Sequence, residues 1–189
     1  MQNGNKTVLA MVETAILVAL STVLSMISLF TLPMGGTLTP ASMLPVIFNG
    51  LRNGPKWGFA GSVVFAGVQM LLSIAKVVSW GLTPLVLIVC IGVDYLLAYI
   101  VLGVAGFFAG KSRTACVVGT AVAIALRFLC HFITGITIWA EWVDGFWPVI
   151  RYSLFYNGSY MGLELVLTCV IMAALVNVPQ IRKLLHIPA

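Results

Sequence analysis

LTPLVLIVCIGVDYLLAYIVLGVAGFF, residues 82–108, is an apolar run in which Asp94 is the only charged residue. As a helix its 27 residues extend about 40 Å, more than the roughly 30 Å of hydrocarbon in a bilayer. A helix apolar on every side is at home in a protein core or in lipid. The rest of the chain decides for lipid. Runs of the same kind occupy 8–30, 57–74, 114–139 and 153–176. A sixth segment, 38–51, is short and holds Pro40 and Pro45, which suits a short, kinked or re-entrant helix. Of 189 residues, 61% are hydrophobic and 8% charged, with mean hydropathy +1.10, where soluble domains carry about 25% charge. The expectation is an all-α integral membrane protein with six transmembrane helices, residues 1–189 forming a single domain. The run at 8–30 is too long for a signal-peptide core and lacks a small-x-small cleavage pattern, so it reads as the first span.

Charge placement orients the helices. With six spans, Lys6, Arg52, Lys56, Lys111, Arg113, Arg182 and Lys183 fall on one side, and only Lys76 and Arg151 on the other. Seven against two is a positive-inside pattern, so both termini are expected in the cytoplasm. The connections 31–37, 76–83 and 140–151 then face outward. The net charge of +5 does not imply nucleic acid, because the basic residues stand singly between apolar runs.

Several motifs lead nowhere. Residues 105–112, AGFFAGKS, loosely fit a phosphate-binding loop, yet they close a membrane helix and no strand precedes them. Cys90, Cys116, Cys130 and Cys169 lie within apolar runs without CxxC spacing, so no metal or disulfide framework is expected. Asn157-Gly-Ser is a glycosylation sequon just inside an apolar helix. Gly106xxxGly110 and Gly158xxxGly162 permit close packing but alone specify nothing. HExxH and GxSxG are absent, and no cofactor is called for.

The informative residues are the polar ones at depth. An ionisable side chain at the bilayer centre costs about 2.5–3.5 kcal/mol on insertion scales, so each needs a reason. Asp94, Arg127 and Glu164 lie near mid-membrane. Helical spacing aligns Arg127, His131, Gly135 and Trp139 on the fifth span, and Ser153, Asn157, Tyr160 and Glu164 on the sixth. With Asp94 and Tyr95 from the fourth span, and Tyr152 and Tyr156 flanking, these groups can converge on an outward-facing pocket. His131 and Trp139 offer flat faces with Gly135 leaving room between them, and indole favours a cationic aromatic guest. Asp94 can accept from an amine, while Tyr152 and Asn157 orient the guest. A structural reading stands beside this one: an ion triad of Asp94, Arg127 and Glu164 pinning three helices, with Trp139, Trp142 and Trp147 as an interfacial belt. If Arg127 and Glu164 neutralise one another, Asp94 is left as one uncompensated charge. An acid–base pair of His131 and Asp94 would suit an intramembrane enzyme, but nucleophile and metal are both missing.

The stretches 127–135 (RFLCHFITG), Trp139 and 152–161 (YSLFYNGSYM), with 34–39 (MGGTLT), 51–58 (LRNGPKWG) and Asp94-Tyr95, resemble the thiamine-specific S-components of energy-coupling factor (ECF) vitamin transporters. The resemblance spans nearly the whole chain. It implies a six-helix S-component-like bundle in the prokaryotic plasma membrane, with a thiamine site near the outer face, roofed by the first outward loop. It assigns Asp94, Tyr152 and Asn157 to the aminopyrimidine, stacking to His131 and Trp139, lining to Gly135, and proximity to the hydroxyethyl end to Tyr95. Some members place a stacking tryptophan near Gly36, where this chain has Met34-Gly35-Gly36. The implied partners are the lipid bilayer and an energising module of a membrane T-subunit with two ATPase subunits. Ala15xxxAla19 on the first span is similar to the small-residue motif used for docking on that module. Glu13, one turn earlier, has no assigned role.

Overall fold

A computed structural model of the chain describes residues 2–188, without the side chains of residues 2–4 and Met34. In chain order the elements are α1 (Gln2–Ser25), β1 (Phe30–Thr31), β2 (Thr37–Leu38), α2 (Leu44–Asn53), α3 (Pro55–Ser79), α4 (Pro84–Phe108), α5 (Arg113–Thr137), α6 (Phe146–Leu175) and α7 (Pro179–Leu184). Among the described residues, five helices are long and apolar enough to cross a membrane: α1 over Asn5–Ser25, and α3, α4, α5 and α6 over their full lengths. Their outward faces carry exposed side chains such as Ile16, Leu71, Leu85, Phe155 and Val166, as a lipid solvent requires. On α1, Ala15 and Ala19 also face outward.

The sixth apolar segment folds differently from the long ones. α2 has ten residues, about 15 Å of helix, and its seven residues from Pro45 to Leu51 are buried. It is wrapped by α1, α3, α4 and α5 and carries much of the core, including Val46, Ile47 and Leu51 at 0% exposure. Its backbone touches its neighbours directly, and glycine permits this. A Cβ on Gly50 would lie 3.0 Å from Gly106 N, one on Gly58 2.9 Å from Gly50 Cα, and one on Gly106 2.5 Å from Pro55 Cα. The two small-residue pairs noted in the sequence behave otherwise. Gly110 ends a helix at φ 66°, and added Cβ atoms on Gly158 and Gly162 meet open space.

Helix ends follow local chemistry. Proline stands in the first two positions of α2, α3, α4 and α7, where its missing N–H costs nothing. The Ser112 hydroxyl caps α5 by accepting from Ala115 N at 3.0 Å. Two expected boundaries move. The fifth span ends at Thr137, so Trp139 lies beyond its helix and the four-residue stripe stops at Gly135. The sixth begins at Phe146, so the second half of the expected 140–151 loop is the outer end of a 30-residue helix.

At the opposite end, Arg52 ties three segments together and gives Glu13 a partner. Its guanidinium meets Glu13 of α1 at 3.4 Å and donates to Leu184 O at 2.6 Å, while Asn53 donates to Glu13 at 3.0 Å. Leu185, at 0% exposure, closes the core there.

The glycine contacts make a sharp prediction. Gly106→Ala should destabilise the protein by about 1–3 kcal/mol through overpacking, read as a lowered Tm in detergent. Gly158→Ala, facing open space, should leave Tm unchanged or slightly raised.

Candidate ligand-binding site

Between α3, α4, α5 and α6, under the β1–β2 hairpin, lies a cavity of about 280 Å³. All seven expected site residues line it: Asp94, Tyr95, His131, Gly135, Trp139, Tyr152 and Asn157. Its making starts with a local defect. Over Ile91–Leu97 α4 widens to π-helical geometry, a feature often found at functional sites, and Asp94 sits at the centre of that turn.

Asp94 is 8% exposed and well satisfied, which corrects the idea of a solitary carboxylate. Its Oδ1 faces His131 Nδ1 at 2.9 Å and accepts from the Thr134 hydroxyl. Its Oδ2 accepts from Trp139 Nε1 at 3.0 Å, with the Cys90 thiol farther off at 3.9 Å. A carboxylate offers about four lone-pair sites, which these three close partners and the longer, weaker Cys90 thiol contact together fill. His131 Nε2 is buried and has no partner. With Nδ1 engaged by Asp94, this leaves a ring nitrogen free for whatever fills the cavity.

The expected pairing of Arg127 with Glu164 does not form. Among the described residues Arg52 pairs with Glu13, and Asp94 lies 2.9 Å from His131 Nδ1. The Arg127 guanidinium instead lies 3.8 Å from the Tyr99 ring centroid, a cation–π contact, with its Nε unbonded. Glu164 accepts from Thr39 N at 3.1 Å and Thr39 Oγ1 at 2.9 Å, at the foot of the hairpin. The triad of helix-pinning charges is therefore not the arrangement found.

Three further roles are revised by geometry. A Cβ on Gly135 would collide with Ser153 Oγ and approach Asn157 Nδ2 to 2.8 Å, so this glycine admits α6 rather than leaving a slot for a ring. The Asn157 amide donates to His131 O and Ser153 O, both at 3.1 Å, and its Oδ1 accepts from Tyr160 OH at 3.0 Å. It fastens α6 to α5 behind His131. Trp139 packs edge-on against Trp80, with ring centroids 4.8 Å apart, so its indole is held at the wall by that contact and by Asp94. Tyr152 stacks on Tyr156 at 5.8 Å and meets the edge of Trp142 at 5.9 Å.

Some lining residues escaped the sequence reading. Gln69, Ser73, Lys76 and Trp80 of α3 and its end form the wall facing α5, and Thr134 supplies a donor to Asp94. Both had a signal: polar residues at i, i+4 and i+7 in an apolar helix, and a hydroxyl three residues after His131. Lys76 approaches the loop at Gly35, where a Cβ would stand 2.7 Å from its Nζ. The side chain of Met34, in the loop where some relatives carry tryptophan, lies outside the described residues. No group of three His, Cys, Asp or Glu suited to a metal is found among the described residues.

A polar, aromatic-walled hollow in an apolar helical body defines a multi-pass membrane protein built around a small organic guest. The chain belongs to a particular family of that class: residues 11–183 match the model described as Thiamine transporter protein (Thia_YuaJ). It is similar to the thiamine transporter ThiT of Bacillus subtilis (strain 168), 27% identical over 196 residues, covering 96% of this chain and 97% of that protein. A solved structure of ThiT from Listeria monocytogenes has the same fold, with TM-score 0.70 at 18% identity, covering 97% of this chain and 100% of that one. The family is one of transporters, not enzymes.

Thr134→Val tests the saturation of Asp94. It removes a hydrogen bond to a buried charged group and should cost about 1.5–3 kcal/mol, measured by thermal unfolding in detergent. Thr137→Val, whose exposed hydroxyl bonds only within its own helix at 2.8 Å, is the control and should change little.

Proposed function

We propose that this chain captures thiamine from the outer side of the cell membrane with high affinity and serves as the substrate-binding S-component of an ECF-type transporter. The observation that carries the reading is the Asp94 carboxylate on the cavity wall, held partly by a weak thiol contact, beside an unpartnered His131 Nε2 and the indole of Trp139. Thiamine brings an exocyclic amine and pyrimidine nitrogens to such a carboxylate, and a positively charged thiazolium to the aromatic wall. The buried charges favour that guest. Both buried charges on the cavity wall, Asp94 and Glu164, are carboxylates, while its cations are half-buried Arg127 and exposed Lys76.

In this reading α1 to α6 make six membrane helices of one domain, α2 being a short one sheltered by the others, with both termini cytoplasmic. The cluster of Lys6, Arg52, Arg182 and Lys183 on one side supports that orientation. Binding falls to Asp94, Tyr95, His131, Trp139 and Tyr152, with Gly135 and Asn157 shaping the wall. Energy comes from elsewhere: a membrane T-subunit and two ATPase subunits, docked against Ala15 and Ala19. Their outward placement on α1 leaves a low surface suited to close helix contact in lipid.

Titrating purified protein with thiamine should give saturable quenching of tryptophan fluorescence through Trp139. Asp94→Asn should weaken binding about thirtyfold or more, as expected when a buried charged hydrogen-bonding partner is truncated. Undiminished affinity would remove Asp94 from the site, and a silent titration answered by another vitamin would change the substrate. Orientation is tested separately. A reporter that works only in the cytoplasm, fused after Ala189, should be active, and one that works only outside should be silent.

A further inference from the structure

A second cavity, of about 350 Å³, opens at the other end of the molecule. Lys6, Leu9, Ala10 and Glu13 of α1, Arg52 of α2 and His186 after α7 line it. Arg52 organises the polar side. Its guanidinium pairs with Glu13 at 3.4 Å, donates to Leu184 O at 2.6 Å and meets His186 Nε2 at 2.5 Å. His186 comes to it from a left-handed turn, φ 55°, the conformation in which helices commonly end on glycine. Arg52 Nε is buried without a partner, so the guanidinium has donor capacity to spare.

The level of this cavity decides which solvent it meets. The membrane-spanning part of α1 is Asn5–Ser25, so Lys6 stands in its first turn. From Lys6 to Glu13 is about 10 Å along the helix axis, more than the roughly 5–7 Å of headgroup layer on either side of the hydrocarbon. Leu9 is exposed, as are Val8 and Val12 beside it, so apolar surface begins directly below the lysine. The lining carries two formal positive charges, Lys6 and Arg52, against one negative, Glu13. Arg52 and Glu13 compensate one another, and the charge of Lys6 is the surplus.

We infer that this cavity holds the headgroup of one anionic phospholipid, with its phosphate oxygens on Lys6 and Arg52 and its first acyl carbons along Leu9. Basic pockets between membrane helices suit such headgroups. A free phosphate satisfies the same cations but has no use for an aliphatic wall at membrane depth. A zwitterionic lipid brings a cationic group of its own next to the surplus charge. Bound there, the headgroup bridges the start of α1 to the end of α2, and through His186 to the chain after α7, so it stabilises the folded state by mass action. The inference needs only that α1 crosses the bilayer, in either direction, and is independent of what fills the cavity around Asp94.

The test takes the full chain, purified and delipidated in a neutral detergent, and titrates it with phosphatidylglycerol, phosphatidylcholine or glycerol 3-phosphate. Thermal unfolding and native mass spectrometry are the readouts. Phosphatidylglycerol should raise Tm saturably and remain bound as a single molecule. Phosphatidylcholine should bind more weakly, and glycerol 3-phosphate should leave Tm unchanged. Lys6→Gln, at an exposed position in the first turn of the span, should weaken phosphatidylglycerol binding about fivefold, the scale of one lysine at an anionic membrane surface. Lys6→Arg, which keeps the charge, should bind as the parent does. Arg113→Gln removes an exposed cation that meets Asn177 at 3.3 Å outside the cavity, and should not alter the lipid affinity. Equal stabilisation by phosphatidylcholine would overturn the inference, as would an equal loss in Arg113→Gln, which marks general attraction to a basic surface. Glycerol 3-phosphate acting as well as the lipid would also overturn it, since the site would then be one for soluble phosphate.

Discussion

A carboxylate carried into lipid must find its hydrogen bonds within the protein, and the way Asp94 finds them organises the outer half of this molecule. Its close partners come from one short stretch, residues 131–139, but from different backbone settings: His131 and Thr134 on the helix, Trp139 beyond its end. Satisfying all three at once fixes the rotation of α5 against α4 and folds the chain after Thr137 back over the same acid. Once His131 is fixed, its carbonyl is the anchor for Asn157, and α6 is drawn against α5 at Gly135. One buried charge thereby specifies two helix contacts and the position of an indole.

The same constraint shapes the surroundings of the other charged groups at depth, Glu164 and Arg127. Glu164 meets the chain at the start of the segment leading into α2, where backbone donors would otherwise lie unsatisfied in the membrane. Arg127 keeps its charge beside an aromatic face, an arrangement that tolerates a cation without neutralising it. Both meet neighbours of a kind that helical spacing does not reveal.

That difference marks how far the residues could be read in advance. The apolar run around Asp94 was enough to assign the solvent, and the spacing of His131 and the residues after it was enough to bring them to Asp94. Periodicity assumes, however, that a helix continues. Trp139 reaches the cavity because α5 stops, so its place on a stripe was right in neighbourhood and wrong in mechanism. The early start of α6 had a visible sign in Pro148, within its first turn, after Gly145 at φ 96°. No comparable sign separates an Arg127–Glu164 pair from the contacts actually made, since charge complementarity is indifferent to which of several nearby polar groups arrives first. The compactness of α2 was likewise hidden, because a segment of 38–51 with two prolines is compatible with several irregular shapes until Gly50, Gly58 and Gly106 are seen to meet.

The widened turn at Ile91–Leu97 has an implication for descent. A π-turn arises when one residue is added to an α-helix whose ends are held in register by their neighbours, because the surplus is absorbed locally instead of rotating everything downstream. Removing one codon from this stretch would restore regular winding and swing Asp94 away from its donors, with the glycine contacts of α4 intact farther along. In this scaffold the acid at the heart of the cavity can thus be installed or erased by a three-nucleotide length change, a route that comparisons counting only substitutions would overlook.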